Sequence, residues 1–135
     1  MIDTKIAIVG LWHQGIVASG CLSKIGFEVV AADMDVDKIS TLSSGKSPIF
    51  EPGLDDLIIQ GIDNGKLVFT IDLASAVEGK EFVFLMFDTP VNSKDEVDIS
   101  IIMKAVEMIA PQLLDDCVIW NTSQVPVGTS EMIAE

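Results

Sequence analysis

The chain has 135 residues, 49% of them apolar, which is about one domain and enough to bury a core. No unbroken apolar run exceeds Phe82 to Phe87, far below the roughly 20 residues of a membrane helix, and a formal charge of −13 excludes nucleic acid, whose phosphates would be repelled. Two cysteines form no disulfide framework and no basic-then-apolar leader opens the chain, so the expectation is a soluble, cytoplasmic protein with no membrane partner.

The first predicted element is a short apolar strand, Ile6 to Val9. A glycine-marked turn follows from Gly10 to Gly15, then a helix of small and apolar residues, a second strand from Glu28 to Ala32, and Asp33 at its tip. That order is a mononucleotide-binding βαβ unit. Gly10 permits the sharp exit from the strand, and Gly15, with Ala18 behind it, lets the helix pack close to the sheet. The helix would aim its free N–H groups and positive dipole end at a phosphate. Asp33 lies 23 residues beyond Gly10, near the roughly 20 expected of a carboxylate that binds the ribose hydroxyls of NAD. The pattern G-x-G-x-x-G asks for a middle glycine where the pyrophosphate meets bare backbone, and the chain has Trp12 there. The indole must turn away from the phosphates, push the cofactor outward or block it.

Asp35 is expected to cap the next helix, which carries Ile39 and Leu42, and is the second choice after Asp33 as ribose ligand. The stretch GKSPIFEPG, Gly45 to Gly53, is a loop. A helix follows with Leu54, Leu57 and Ile58 on one face and Asp55 and Asp56 in its first turn, then a turn at Asn64-Gly65, a strand from Leu67 to Thr70, and a brief helix from Asp72 to Val77 closed by Gly79. Glu81 to Phe87 reads as a central parallel strand covered on both faces. After a loop from Asp88 to Val97, Asp98 is expected to cap a helix with Ile99, Ile102, Met103, Val106 and Ile109 at 3-4 spacing, its last turns disturbed by Pro111. Cys117 to Trp120 is a fifth strand, and Thr129 begins a last helix.

Five strands separated by helices predict a Rossmann-type, doubly wound parallel α/β sheet of three layers in the order 3-2-1-4-5. A ligand then lies outside the carboxyl ends of the strands, against Gly10 to Gly15, Asp33, Asp88 to Pro90 and Thr122 to Pro126. All eight basic residues are Lys. Without an Arg beyond the second strand, and with Asp33 there, a 2′-phosphate meets repulsion, which favours NAD over NADP. The acidic balance opposes anions at long range, so a phosphate must be held by local backbone donors and the helix dipole.

Plainer readings stand beside these. Gly10 and Gly15 suit any βα turn, Asp33 a strand end, Lys38 a solvated helix face, and Thr89 the turn before Pro90. Cys21 and Cys117 read as buried thiols. His13 reads as a surface residue with no carboxylate near it in sequence to orient it, and no spacing makes it a metal ligand with Glu51. Trp12 and Trp120 suit a core or interface as well as a cofactor platform.

Three loop motifs, KSPIFEPGLDDL, the TPV of Thr89 to Val91 and the VPVGTSE of Val125 to Glu131, together with the opening GLWHQG and their order, resemble the N-terminal domain of the UDP-glucose/GDP-mannose dehydrogenases over nearly all of the chain. The resemblance implies an NAD-dependent nucleotide-sugar 6-dehydrogenase, which oxidises the C6 alcohol of UDP-glucose or a similar substrate to a carboxylate in two hydride transfers to NAD. In the family turn, GxGYVG, His13 falls on the Tyr and Gln14 on the Val, so the resemblance puts both beside the cofactor with Gly10, Trp12 and Gly15. It makes Asp33 the ribose carboxylate, Lys38 a lysine near the adenosine end, and Thr89 a contact to NAD. The family's STVPVG appears here as SQVPVG, so Gln124 stands where a Thr assists at the nicotinamide and the catalytic water. An amide donates and accepts hydrogen bonds but reaches further and lacks a hydroxyl.

In that family the nucleophilic cysteine and much of the substrate site lie in later segments, and neither Cys21 nor Cys117 matches them. The expectation is therefore that residues 1–135 are the NAD-binding domain of a longer enzyme, catalytically incomplete without the substrate domain. A nucleotide-sugar substrate and a homodimer would be properties of the full-length protein. Alternatives are a related hydroxyacid-type dehydrogenase domain, which would lack the SPIFEPG loop, a non-catalytic Rossmann domain that has lost NAD through Trp12, and a fold using S-adenosylmethionine.

Overall fold

Five short strands, β1 (Lys5–Val9), β2 (Glu28–Ala32), β3 (Leu67–Thr70), β4 (Phe82–Leu85) and β5 (Val118–Asn121), form one parallel sheet in the order β3-β2-β1-β4-β5 in the computed structural model, which describes residues 2–135. The central strand β1 sits between its neighbours, with Ile8 level with Ala31 on one side and Phe84 on the other. Strand order and chain order are those expected from the alternation of apolar runs and helices.

Side chains alternate across the pleat and make two cores. Ile6 and Ile8 of β1 face Val29, Ala31, Leu67 and Phe69 under α1 (His13–Ile25), α2 (Val36–Ser43) and α3 (Leu54–Asp63). Ala7 and Val9 face Val83 and Leu85 under α4 (Leu73–Val77) and α5 (Ser100–Ile109), with Ile133 of α6 (Thr129–Ala134) at the margin. This is a three-layer arrangement. Its carboxyl edge carries the turns after β1, β2, β4 and β5.

α1 lies tight against α3 because of glycines on the touching faces. A Cβ at Gly20 would come 3.2 Å from Leu57 Cβ, and one at Gly61 would come 2.7 Å from Ser23 Oγ. The buried face of α1 is accordingly small and partly polar: Gly15, Ile16, Ser19, Gly20 and Ser23, with the Ser19 and Ser23 hydroxyls donating to the carbonyls of Gly15 and Gly20.

Four expectations need correction. β4 ends at Leu85 rather than Phe87, because β1 supplies partners only as far as Val9; the Met86 N–H still reaches the Val9 carbonyl, and the next donor, Phe87 N–H, turns to Ser123 Oγ at 3.0 Å. β5 begins one residue later than expected, leaving Cys117 outside it. α5 starts at Ser100 with Ile99 in the capping position, although Asp98 still accepts the Ser100 N–H at 2.9 Å, and that hydrogen bond holds the Asp98 carboxyl below its usual range. Cys21 is exposed rather than buried, since it lies off the buried stripe of α1, and Cys117 is half-buried. Pro111 falls, as expected, in a closing 3-10 turn, Ala110–Gln112. No helix among the described residues is long and apolar enough to cross a membrane.

Candidate functional site

The turn after β1 is fixed by its two glycines. Gly10 has φ +97°, and a Cβ there would stand 2.9 Å from the Phe87 nitrogen. A Cβ at Gly15 would stand 2.1 Å from the Gly10 carbonyl oxygen, so only glycine lets α1 begin directly against the turn. No side chain caps the start of α1 and its first turn holds no acid. The first N–H groups of the helix therefore lie without a side-chain cap at the carboxyl edge of the sheet.

Asp33 lies at the tip of β2 with 6% of its surface exposed. Its Oδ2 accepts the Leu11 N–H at 2.7 Å and Lys38 Nζ at 3.1 Å, and its Oδ1 accepts the Asp35 N–H at 3.0 Å. The carboxylate thus ties the glycine turn to the start of α2. Asp35 is spent on capping, its side chain accepting the Lys38 N–H at 3.0 Å, so Asp33 is the carboxylate that meets the turn. The Trp12 ring is partly exposed and turned to this side, with Lys38 Nζ 4.5 Å from its centroid. Sequence spacing gave no sign of that contact.

A cavity of about 370 Å³ opens beside the turn. Trp12, His13 and Gln14 form one wall, Thr89 and the chain after β4 another, and Ser123 and Gln124 after β5 a third. The Thr89 hydroxyl donates to the Gln124 carbonyl at 2.6 Å and joins the two later loops. Ser123, expected only as part of the Thr122 to Pro126 loop, ties that loop to the chain after β4 by accepting the Phe87 N–H. Asp33 and Lys38 do not line this cavity; Trp12 connects them to it. The expected residues therefore form two adjoining groups, Asp33 with Lys38 and Trp12, and Trp12 with His13, Gln14, Thr89 and Gln124.

His13 has the carboxylate partner that its neighbours in sequence lack. Its Nε2 lies 2.7 Å from Glu51 Oε1, and both residues line a cleft of about 410 Å³ with Gln14 and Thr122. The pair fastens the SPIFEPG loop to the head of α1. A larger cavity of about 670 Å³ lies apart from these groups, between β5 and α6.

Residues 4–135 match the UDP-glucose/GDP-mannose dehydrogenase family, NAD binding domain. The chain is 36% identical over 129 residues to the UDP-glucose 6-dehydrogenase TuaD of Bacillus subtilis, covering 96% of this chain and 28% of that protein. The solved GDP-mannose dehydrogenase of Pseudomonas aeruginosa is similar with a TM-score of 0.86 at 34% identity, over 95% of this chain and 30% of that one. The UDP-D-ManNAc dehydrogenase of Pyrococcus horikoshii gives a TM-score of 0.89 at 26% identity, over 97% of this chain and 31% of that one. The chain spans under a third of the length of these relatives. Sequence pattern, strand order and the converging loops agree: the chain belongs to the UDP-glucose/GDP-mannose dehydrogenase family as an NAD-binding domain, and NAD is its cofactor.

Proposed function

We propose that this chain positions NAD in a nucleotide-sugar 6-dehydrogenase that oxidises the C6 alcohol of UDP-glucose, or a similar sugar nucleotide, to a carboxylate. Residues 1–135 are on this reading the NAD-binding domain of a larger, homodimeric, cytoplasmic enzyme, with the nucleophilic cysteine and most of the sugar site elsewhere. What supports a larger enzyme is the family match together with the small share of each relative that the chain covers.

The observation that carries the reading is the convergence of three strand-end loops on one cavity beside an uncapped helix start. The residues present fit a dinucleotide. Gly10 and Gly15 let the turn and the head of α1 pack tightly at the strand end, and the first N–H groups of α1 hold the pyrophosphate. Asp33 takes the adenosine ribose, with Lys38 beside it at the same end. Thr89 spends its proton on the Gln124 carbonyl and keeps its oxygen as an acceptor, while the Gln124 amide both donates and accepts at the nicotinamide end. His13 and Gln14 complete the wall, and Trp12 stands between the two ends. When bound, NAD supplies the hydride acceptor; the protein supplies orientation and exclusion of water.

Calorimetric titration of NAD and NADP, with Asp33→Ala in parallel, tests this. NAD should bind, NADP more weakly, and Asp33→Ala should lose most of the affinity. Equal affinity for both cofactors, or binding indifferent to Asp33→Ala, would remove Asp33 from the ribose site. No heat up to millimolar NAD would overturn the reading for this chain.

A further inference from the structure

Asp33 is short of free acceptors. An ionised carboxylate offers about four lone-pair sites, and three are in use, by the Leu11 N–H, the Asp35 N–H and Lys38 Nζ. A ribose diol presents two hydroxyls and needs two of those sites. The backbone donors belong to the glycine turn and the start of α2, so Lys38 is the donor that can leave. Its ammonium is also held from a second side, 4.5 Å from the centroid of the Trp12 ring. Its side chain is only 14% exposed between the two. An ammonium seated on both a carboxylate and an aromatic face is harder to dislodge than one seated on either alone. The glycine of the G-x-G-x-x-G pattern would provide no such seat.

We propose that Trp12 is a positioning residue that sets dinucleotide affinity by holding Lys38 on Asp33, and that the ribose diol binds by displacing Lys38 Nζ from Asp33 Oδ2. The inference rests on the dinucleotide reading above. Trp12 acts through Lys38, so its effect depends on that lysine, and it lowers affinity for the cofactor rather than supplying a stacking surface.

Calorimetric NAD affinities of the unsubstituted chain, Trp12→Ala, Lys38→Met and the double variant test this as a cycle. Trp12→Ala should bind NAD about threefold more tightly, the factor that a partly exposed cation–π contact commands. In the Lys38→Met background the same change should do nothing, because the ring then has no ammonium to hold. A second readout is independent of affinity. With Trp120→Phe, Trp12 is the sole tryptophan, and its emission should shift both on adding NAD and, without NAD, on Lys38→Met. Weaker binding by Trp12→Ala would make the ring a platform for the cofactor and overturn the proposal. So would unchanged affinity, an equal effect with and without Lys38, or an emission indifferent to both. Absence of NAD binding in all four proteins would instead overturn the dinucleotide reading, and the latch with it.

Discussion

Two carboxylate contacts flank the head of α1, and the shorter one is the weaker. His13 and Glu51 approach to 2.7 Å with side chains 59% and 39% exposed; Lys38 and Asp33 approach to 3.1 Å with side chains 14% and 9% exposed. Water competes for the first contact, so that its net contribution is at most the roughly 0–1 kcal/mol of surface pairs. The second is nearly dry, and its carboxylate also accepts two backbone N–H groups. Breaking such a pair leaves a charge and two donors without partners, which costs far more than the pair itself is worth. Burial, more than separation, decides what each pair does: one organises the turn, the other fastens a loop to it.

Asp33→Ala should produce the largest effect, about 3 kcal/mol of lost stability and a melting point lower by roughly 10 °C, measured by urea and thermal unfolding. A loss below about 1 kcal/mol would mean that water reaches the site and that the contrast between the pairs is false. Glu51→Gln should cost only about 0.5 kcal/mol, the scale of an exposed polar contact. A cost of about 2 kcal/mol would show that the SPIFEPG loop depends on this one contact to stay in place, and would raise the exposed pair to the rank of the buried one.

Asp33 was legible in the sequence because its partners are local: strand, turn, helix and strand follow one another within one βαβ unit, and spacing alone sets the carboxylate opposite Gly10. The sheet order followed from the same alternation. Glu51 was not legible, since it reaches His13 from an irregular loop whose path no periodicity encodes. The contact of Lys38 with Trp12 crosses from one helix start to the next and is equally silent in sequence. At Phe87 the apolar pattern misled for a different reason: the side chain is buried in the core while the backbone has already left the ladder for Ser123. Apolarity reports burial, and burial continued past the last strand pairing.

The smallest predicted effect extends the lesson about burial to the two thiols. α1 buries Gly15, Ile16, Ser19, Gly20 and Ser23, a stripe too small and too polar to be written in hydrophobicity, and Cys21 falls off it into solvent. Cys117 is half-buried beside β5, where burial first and the charge of Asp116 second push its thiol above the usual value. Both causes disfavour the thiolate, which is the reactive form. Iodoacetamide at neutral pH should therefore label Cys21 several-fold faster than Cys117, read by mass spectrometry of peptides, with the gap narrowing as the pH rises toward the titration of Cys117. Equal rates at neutral pH would mean that the β5 margin opens to solvent faster than its packing implies.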